Sequence, residues 1–117
     1  MGASNLFITR KKAFELRTKA VTSTYTVKVG GSDENHIKDR VITVTDPEES
    51  FTITIPDGVY EGQQLLITFL SDANGVTVTA YKSTPGAGIA LTAAGDFASL
   101  EWINATVGWE VLAYQAT

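Results

Sequence analysis

From about residue 41 to the C-terminus the chain is a succession of short β-prone runs cut by turn residues, and this pattern limits the fold more than any other feature. Val41-Ile42-Thr43-Val44-Thr45 is β-branched throughout. Asp46-Pro47-Glu48-Glu49-Ser50 breaks it. Phe51-Thr52-Ile53-Thr54-Ile55 alternates with period two, which puts Phe51, Ile53 and Ile55 on one face. Pro56-Asp57-Gly58 is a turn, because Pro fixes φ and Asp and Gly tolerate the other turn conformations. A strand over Gln64–Leu70 leads to Asn74-Gly75, a strong hairpin signal, and Val76–Tyr81 is expected to pair back on it. After the loop Ser83–Gly88 come a short strand, Ile89–Leu91, and a last hairpin of Phe97–Ile103 with Trp109–Tyr114. Upstream, Val21–Val29 alternates as a strand with Val21, Ser23, Tyr25, Val27 and Val29 on one face.

Regular short strands with turns between them predict an all-β fold, a small antiparallel β-sandwich or jelly-roll-like barrel over residues 21–117. No internal repeat at solenoid spacing is read in the sequence. Residues 1–20 form a separate basic arm. Phe7, Phe14 and Val21 recur every seven residues, consistent with a short helix over about 10–20, while Phe7-Ile8-Thr9 favours an extended arm.

Charge divides the chain near residue 40. Residues 1–40 hold eight basic and four acidic residues; residues 41–117 hold Lys82 against nine acids. A basic arm on an acidic body suggests an arm that meets a partner. Its candidates are Phe7, Arg10, Lys11, Lys12, Phe14, Arg17 and Lys19. The acidic body argues against nucleic acid as that partner, because it would repel phosphate.

The chemical inventory is thin. With no cysteine, disulfides and thiolate metal sites are excluded. His36, the only histidine, lies in the polar loop Asp33-Glu34-Asn35-His36 and reads as a surface residue, not a metal ligand. No Gly-x-Ser-x-Gly elbow presents a nucleophile. Glu48 and Glu49 read as a solvated bend. Gly86-Ala87-Gly88 leads into a strand, whereas a phosphate cradle needs a helix N-terminus. Asn104-Ala105-Thr106 matches a glycosylation sequon within a hairpin loop. No catalytic residue, metal or cofactor is expected, and the chain reads as a non-enzyme. The longest apolar run, Leu65–Leu70, is too short to span a membrane. The N-terminus carries no signal-peptide pattern, and position 6, where a myristoylation signal needs Ser or Thr, is Leu6. Trp102, Trp109, Tyr114 and Tyr81 are candidates for an oligomer or ligand interface, with core filling as the other role for a Trp.

Five segments then carry a resemblance. Ile53-Thr54-Ile55-Pro56-Asp57-Gly58, Glu61-Gly62-Gln63-Gln64-Leu65-Leu66-Ile67, Val76-Thr77-Val78-Thr79, Ala98-Ser99-Leu100-Glu101-Trp102 and Gly108-Trp109-Glu110-Val111-Leu112 together resemble a module of tailed-bacteriophage virion proteins, found in head-decoration proteins and in head- and tail-fibre domains. The closing turn, Asn104-Ala105-Thr106-Val107-Gly108, is longer and more apolar than the family's Asp-Gly or Asn-Gly. The resemblance implies a β-sandwich that assembles as a homotrimer. It implies a decoration (cement) protein, made in the host cytoplasm, that binds the major capsid protein on the outer surface of the head. A fibre domain or a host-carbohydrate-binding module is the alternative; a chain of 117 residues from Met1 leaves no room for a fibre shaft.

Overall fold

The computed structural model describes residues 16–30, 37–71, 74–80, 83–84 and 88–116. All its regular elements are strands, in chain order β1 (Leu16–Val21), β2 (Tyr25–Thr26), β3 (Lys38–Val44), β4 (Phe51–Ile55), β5 (Gln64–Phe69), β6 (Val76–Ala80), β7 (Ser83–Thr84), β8 (Ile89–Leu91), β9 (Phe97–Asn104) and β10 (Gly108–Gln115). They form a six-stranded sheet in the order β1-β3-β5-β9-β10-β7 and a four-stranded sheet in the order β2-β4-β6-β8. The all-β class holds, and the sheets do not close into a barrel.

The pairing departs from the antiparallel expectation. Strands β1 to β6 go alternately to the larger and the smaller sheet, and each of β1 to β4 pairs in parallel with the strand two places on. The chain therefore winds through three successive turns, each giving one strand to each sheet. Between named strands, antiparallel pairing begins only where β8, β9 and β10 close the structure. Both sheets are mixed.

This winding also overturns the reading of a chain without an internal repeat. Val41 lies beside Leu66 and Phe51 beside Val76, both a step of 25 residues. At that step Ile42 matches Ile67, Thr43 matches Thr68, Thr52 matches Thr77 and Thr54 matches Thr79. The repeat escapes a scan because β1 and β2 meet the next turn at other steps, Thr18 beside Val41 and Tyr25 beside Ile53.

Asn74-Gly75 accordingly makes no hairpin. It is the corner at which the chain leaves β5 in one sheet for β6 in the other. Asn74 takes a left-handed φ of 39° and its Nδ2 donates to the carbonyls of Pro47 and Glu48, each at 3.0 Å, on the corner of the preceding turn. Ser71 Oγ donates to Asp46 Oδ1 at 3.1 Å, again one repeat apart. Corner stacks on corner, and the side chains that look like turn formers are the contacts between turns.

The run Val21–Val29 is likewise split. Val21 ends β1 in one sheet, Tyr25 and Thr26 belong to the other, and Val29 makes an isolated bridge to Lys38. Its alternation survives the break, because Val21 and Val27 are both buried. The short helix expected over about 10–20 does not form over its described part, where Leu16–Val21 is strand β1.

One core draws side chains from both sheets. It takes Ile42, Val44, Leu65, Ile67 and Phe69 from the larger sheet and Phe51, Ile53, Ile55, Val76 and Val78 from the smaller, as period-two alternation requires. Burial of such a side chain contributes roughly 1.5–3 kcal/mol.

Candidate functional site

Of the arm candidates, Phe7, Arg10, Lys11, Lys12 and Phe14 lie outside the described residues. Arg17 and Lys19 do not belong to a separate arm; they sit in β1, inside the larger sheet. Arg17 pairs in register with Asp39 on β3, and its Nε donates to Asp39 Oδ1 at 2.5 Å. The Asp39 side chain is fully buried. Its Oδ2 accepts from the Tyr25 hydroxyl at 2.5 Å and from the Lys28 amide at 2.9 Å. Arg17 Nη2 also donates to the Tyr25 oxygen at 2.9 Å. A buried carboxylate with both oxygens engaged ties β1, β2 and β3 together. The hydrogen bond to Asp39 raises the Arg17 pKa above its ordinary value. Burial, then the hydrogen bond to Asp39, pushes the Tyr25 phenol up to about 12. Lys19 Nζ stands 5.8 Å from the centre of the Tyr25 ring, within cation–π range. Arg17 thus has a partner inside the fold.

Both tryptophans are in the core. Trp102 on β9 and Trp109 on β10 are 5% and 1% exposed and pack edge to face with centroids 5.7 Å apart. Trp109 Nε1 donates to the Pro56 carbonyl at 2.9 Å, the partner a buried indole needs. Gly58 packs against the Trp102 ring, where a Cβ would stand 2.2 Å from an indole carbon. The motif glutamine Gln63 is buried; its Oε1 accepts from the Val59 amide at 2.7 Å and its Nε2 donates to the Val29 carbonyl at 3.0 Å. The Pro-Asp-Gly turn, the Gly-Gln entry and the closing hairpin are therefore one packed unit. The hairpin loop is held by Asn104 Oδ1, which accepts from the amides of Thr106 and Val107 at 2.9 Å each. Of the four candidate aromatics, Tyr114 is on the surface, 61% exposed, and Tyr81 lies outside the described residues.

The surface feature the sequence reading did not single out is a pair of free strand edges. Among the described residues nothing pairs with the outer edge of β1. At the other end of the sheet, β7 pairs with β10 at Trp109 and Glu110, and among the described residues nothing pairs with the outer edge of residues 111–115. Leu112 and Tyr114, both more than half exposed, stand on that open stretch. Exposed large apolar residues on a free edge mark an interaction surface. A sequence signal existed: Val111-Leu112-Ala113-Tyr114 is apolar at every position, where a strand with one solvated face would alternate.

The turns after β1 and β3 border a polar cleft lined by Thr22, Ser23, Thr24, Asp46, Glu48 and Glu49. Among the described residues no group of three His, Cys, Asp or Glu side chains is placed to hold a metal ion. No protein-family model matches the chain. No curated protein matches it.

Proposed function

We propose that the chain is a structural protein of a tailed-bacteriophage virion, a decoration protein that binds the major capsid protein on the outer surface of the head and stabilises the lattice. It acts as a homotrimer and catalyses no reaction. Its two sheets face each other as a sandwich. The observation that carries the reading is the pair of edges on the six-stranded sheet left open among the described residues, one of them bearing Leu112 and Tyr114. Open edges of this kind join chains through backbone hydrogen bonds, the means by which one protein extends the sheet of another. The packed unit of Gly58, Gln63, Trp102 and Trp109 supports it too, since those residues carry the resemblance to virion modules.

The anchoring role falls to the residues ahead of β1, because Arg17 is committed to Asp39. A carbohydrate-binding module is less well supported, since of its candidate stacking residues Trp102, Trp109 and Tyr81 the two tryptophans are in the core, and Tyr81 lies outside the described residues.

Co-sedimentation with expanded capsids tests the proposal. The full chain should co-sediment, and a chain beginning at Leu16 should fold but stay in the supernatant. A full chain that ignores capsids removes the decoration role. A truncated chain that binds normally removes the arm.

A further inference from the structure

The two sheet edges left open among the described residues, that of β1 and that of residues 111–115, fit each other. We infer that copies of this chain join head to tail, β1 of one copy pairing in parallel with residues 111–115 of the next, so that the sheets form a closed ring. The inference rests on the assembly reading above and deepens it by naming the edges through which copies meet.

Height is the first argument. The strand registers carry one level across the whole sheet: Thr18 lies beside Val41, Val41 beside Leu66, Leu66 beside Ser99, and Ser99 beside Ala113. The level two residues on runs from Ala20 through Thr43, Thr68 and Phe97 to Gln115. The open stretch of β10 therefore spans the same height as the open edge of β1. Copies related by a rotation axis along the strands stand at equal height, so the two edges meet without slipping.

Direction is the second. β10 is antiparallel to β9 and β9 to β5, whereas β5, β3 and β1 are parallel. β10 thus runs the same way as β1, and the contact extends the parallel pairing that builds the first three turns. A head-to-tail contact of this kind closes into a ring when the rotation allows.

Charge is the third. The β1 end carries Lys19 and Lys28 beside the neutralised Arg17–Asp39 pair, while Glu101 and Glu110 face each other across β9 and β10 at the far end. Pairing β10 with a second β10 would gather these carboxylates, and pairing β1 with β1 would gather the cations. Like charges disfavour both symmetric contacts, and the head-to-tail contact sets basic end against acidic end.

The absence of native cysteine makes the test direct. Thr18 and Ala113 are both exposed at one level. Neighbouring strands lie roughly 4.8 Å apart, within the Cα span of a disulfide. The full chain carrying T18C and A113C together should oxidise to one covalent ring, seen as a single high-mass band on a non-reducing denaturing gel and returning to monomer with reductant. Each single variant should stay monomeric. Dimers from T18C or A113C alone would show a symmetric contact and overturn the inference, as would an open ladder of the double variant. Light scattering adds a second readout: native protein should have a mass of several chains, and L112K/Y114K that of one, with its melting curve unchanged. A multimeric native protein whose double-cysteine variant does not cross-link, or whose double-lysine variant keeps its mass, removes this contact but not the assembly reading. A monomeric native protein removes both.

Discussion

Gly58 lies against the face of Trp102 with no room between them: a Cβ at Gly58 would fall 2.2 to 2.6 Å from three atoms of that side chain. The indole is in turn held edge to face by Trp109 and cannot retreat into the core. Overpacking of this kind costs roughly 1–3 kcal/mol. Gly58→Ala should lower stability by at least about 2 kcal/mol in urea unfolding. An unchanged midpoint would mean that the Pro56–Gly58 turn moves freely from the tryptophans.

Asp39 concentrates the polar contacts of the first turn of chain. Asp39→Ala removes the acceptor for Arg17, Tyr25 and the Lys28 amide at once. Hydrogen bonds to charged groups contribute about 1.5–3 kcal/mol, so a loss of about 2–4 kcal/mol is expected, moderated by the partial exposure of Arg17. Asp39→Asn, which keeps the shape, should recover part of it. Hydrogen exchange should show the loosening in β1 and β2 before β5.

Tyr25 gives the fold a pH dependence of definite sign. Its phenol ionises at about 12 in the folded protein, against an ordinary value of 10.0. Between those values the folded protein keeps a proton that the unfolded chain has released. The contribution is complete below pH 10 and is lost as pH rises to about 12. Native protein should therefore lose more stability than Tyr25→Phe between about pH 8 and about pH 11 in denaturant titrations. Equal losses would place the titration elsewhere.

Asn74 stacks one turn of chain on another through the carbonyls of Pro47 and Glu48. Asn74→Ala removes both bonds and sets a poor residue at a positive φ, so a loss of about 1–2 kcal/mol is expected. Asn74→Gly relieves the backbone and loses only the bonds, and its midpoint should fall between those of the native and alanine forms. If the two variants are equal, the left-handed backbone contributes nothing.

Most strands were legible because alternation is local: Phe51–Ile55 and Ile89–Leu91 match their expected bounds, and inward residues of the later strands follow period two. Partners were not legible. An Asn-Gly between two strands favours a hairpin only if the strands share a sheet, and β5 and β6 do not. Which of the two roles the tryptophans take was not legible for a similar reason. Trp102 and Trp109 have the composition of an interface, yet their cross-strand pairing on the inner face commits both to the core.

Composition and alternation by themselves determined an all-β chain, its turn positions, its charge division and the absence of cysteine chemistry. Tertiary structure alone decided that successive strands alternate between sheets, that Arg17 serves Asp39, and that among the described residues nothing pairs with the outer edge of 111–115. The reason is physical. Side-chain alternation fixes which face of a strand is buried, but a strand's edges are identical backbone, and only the path of the whole chain settles which edges are filled.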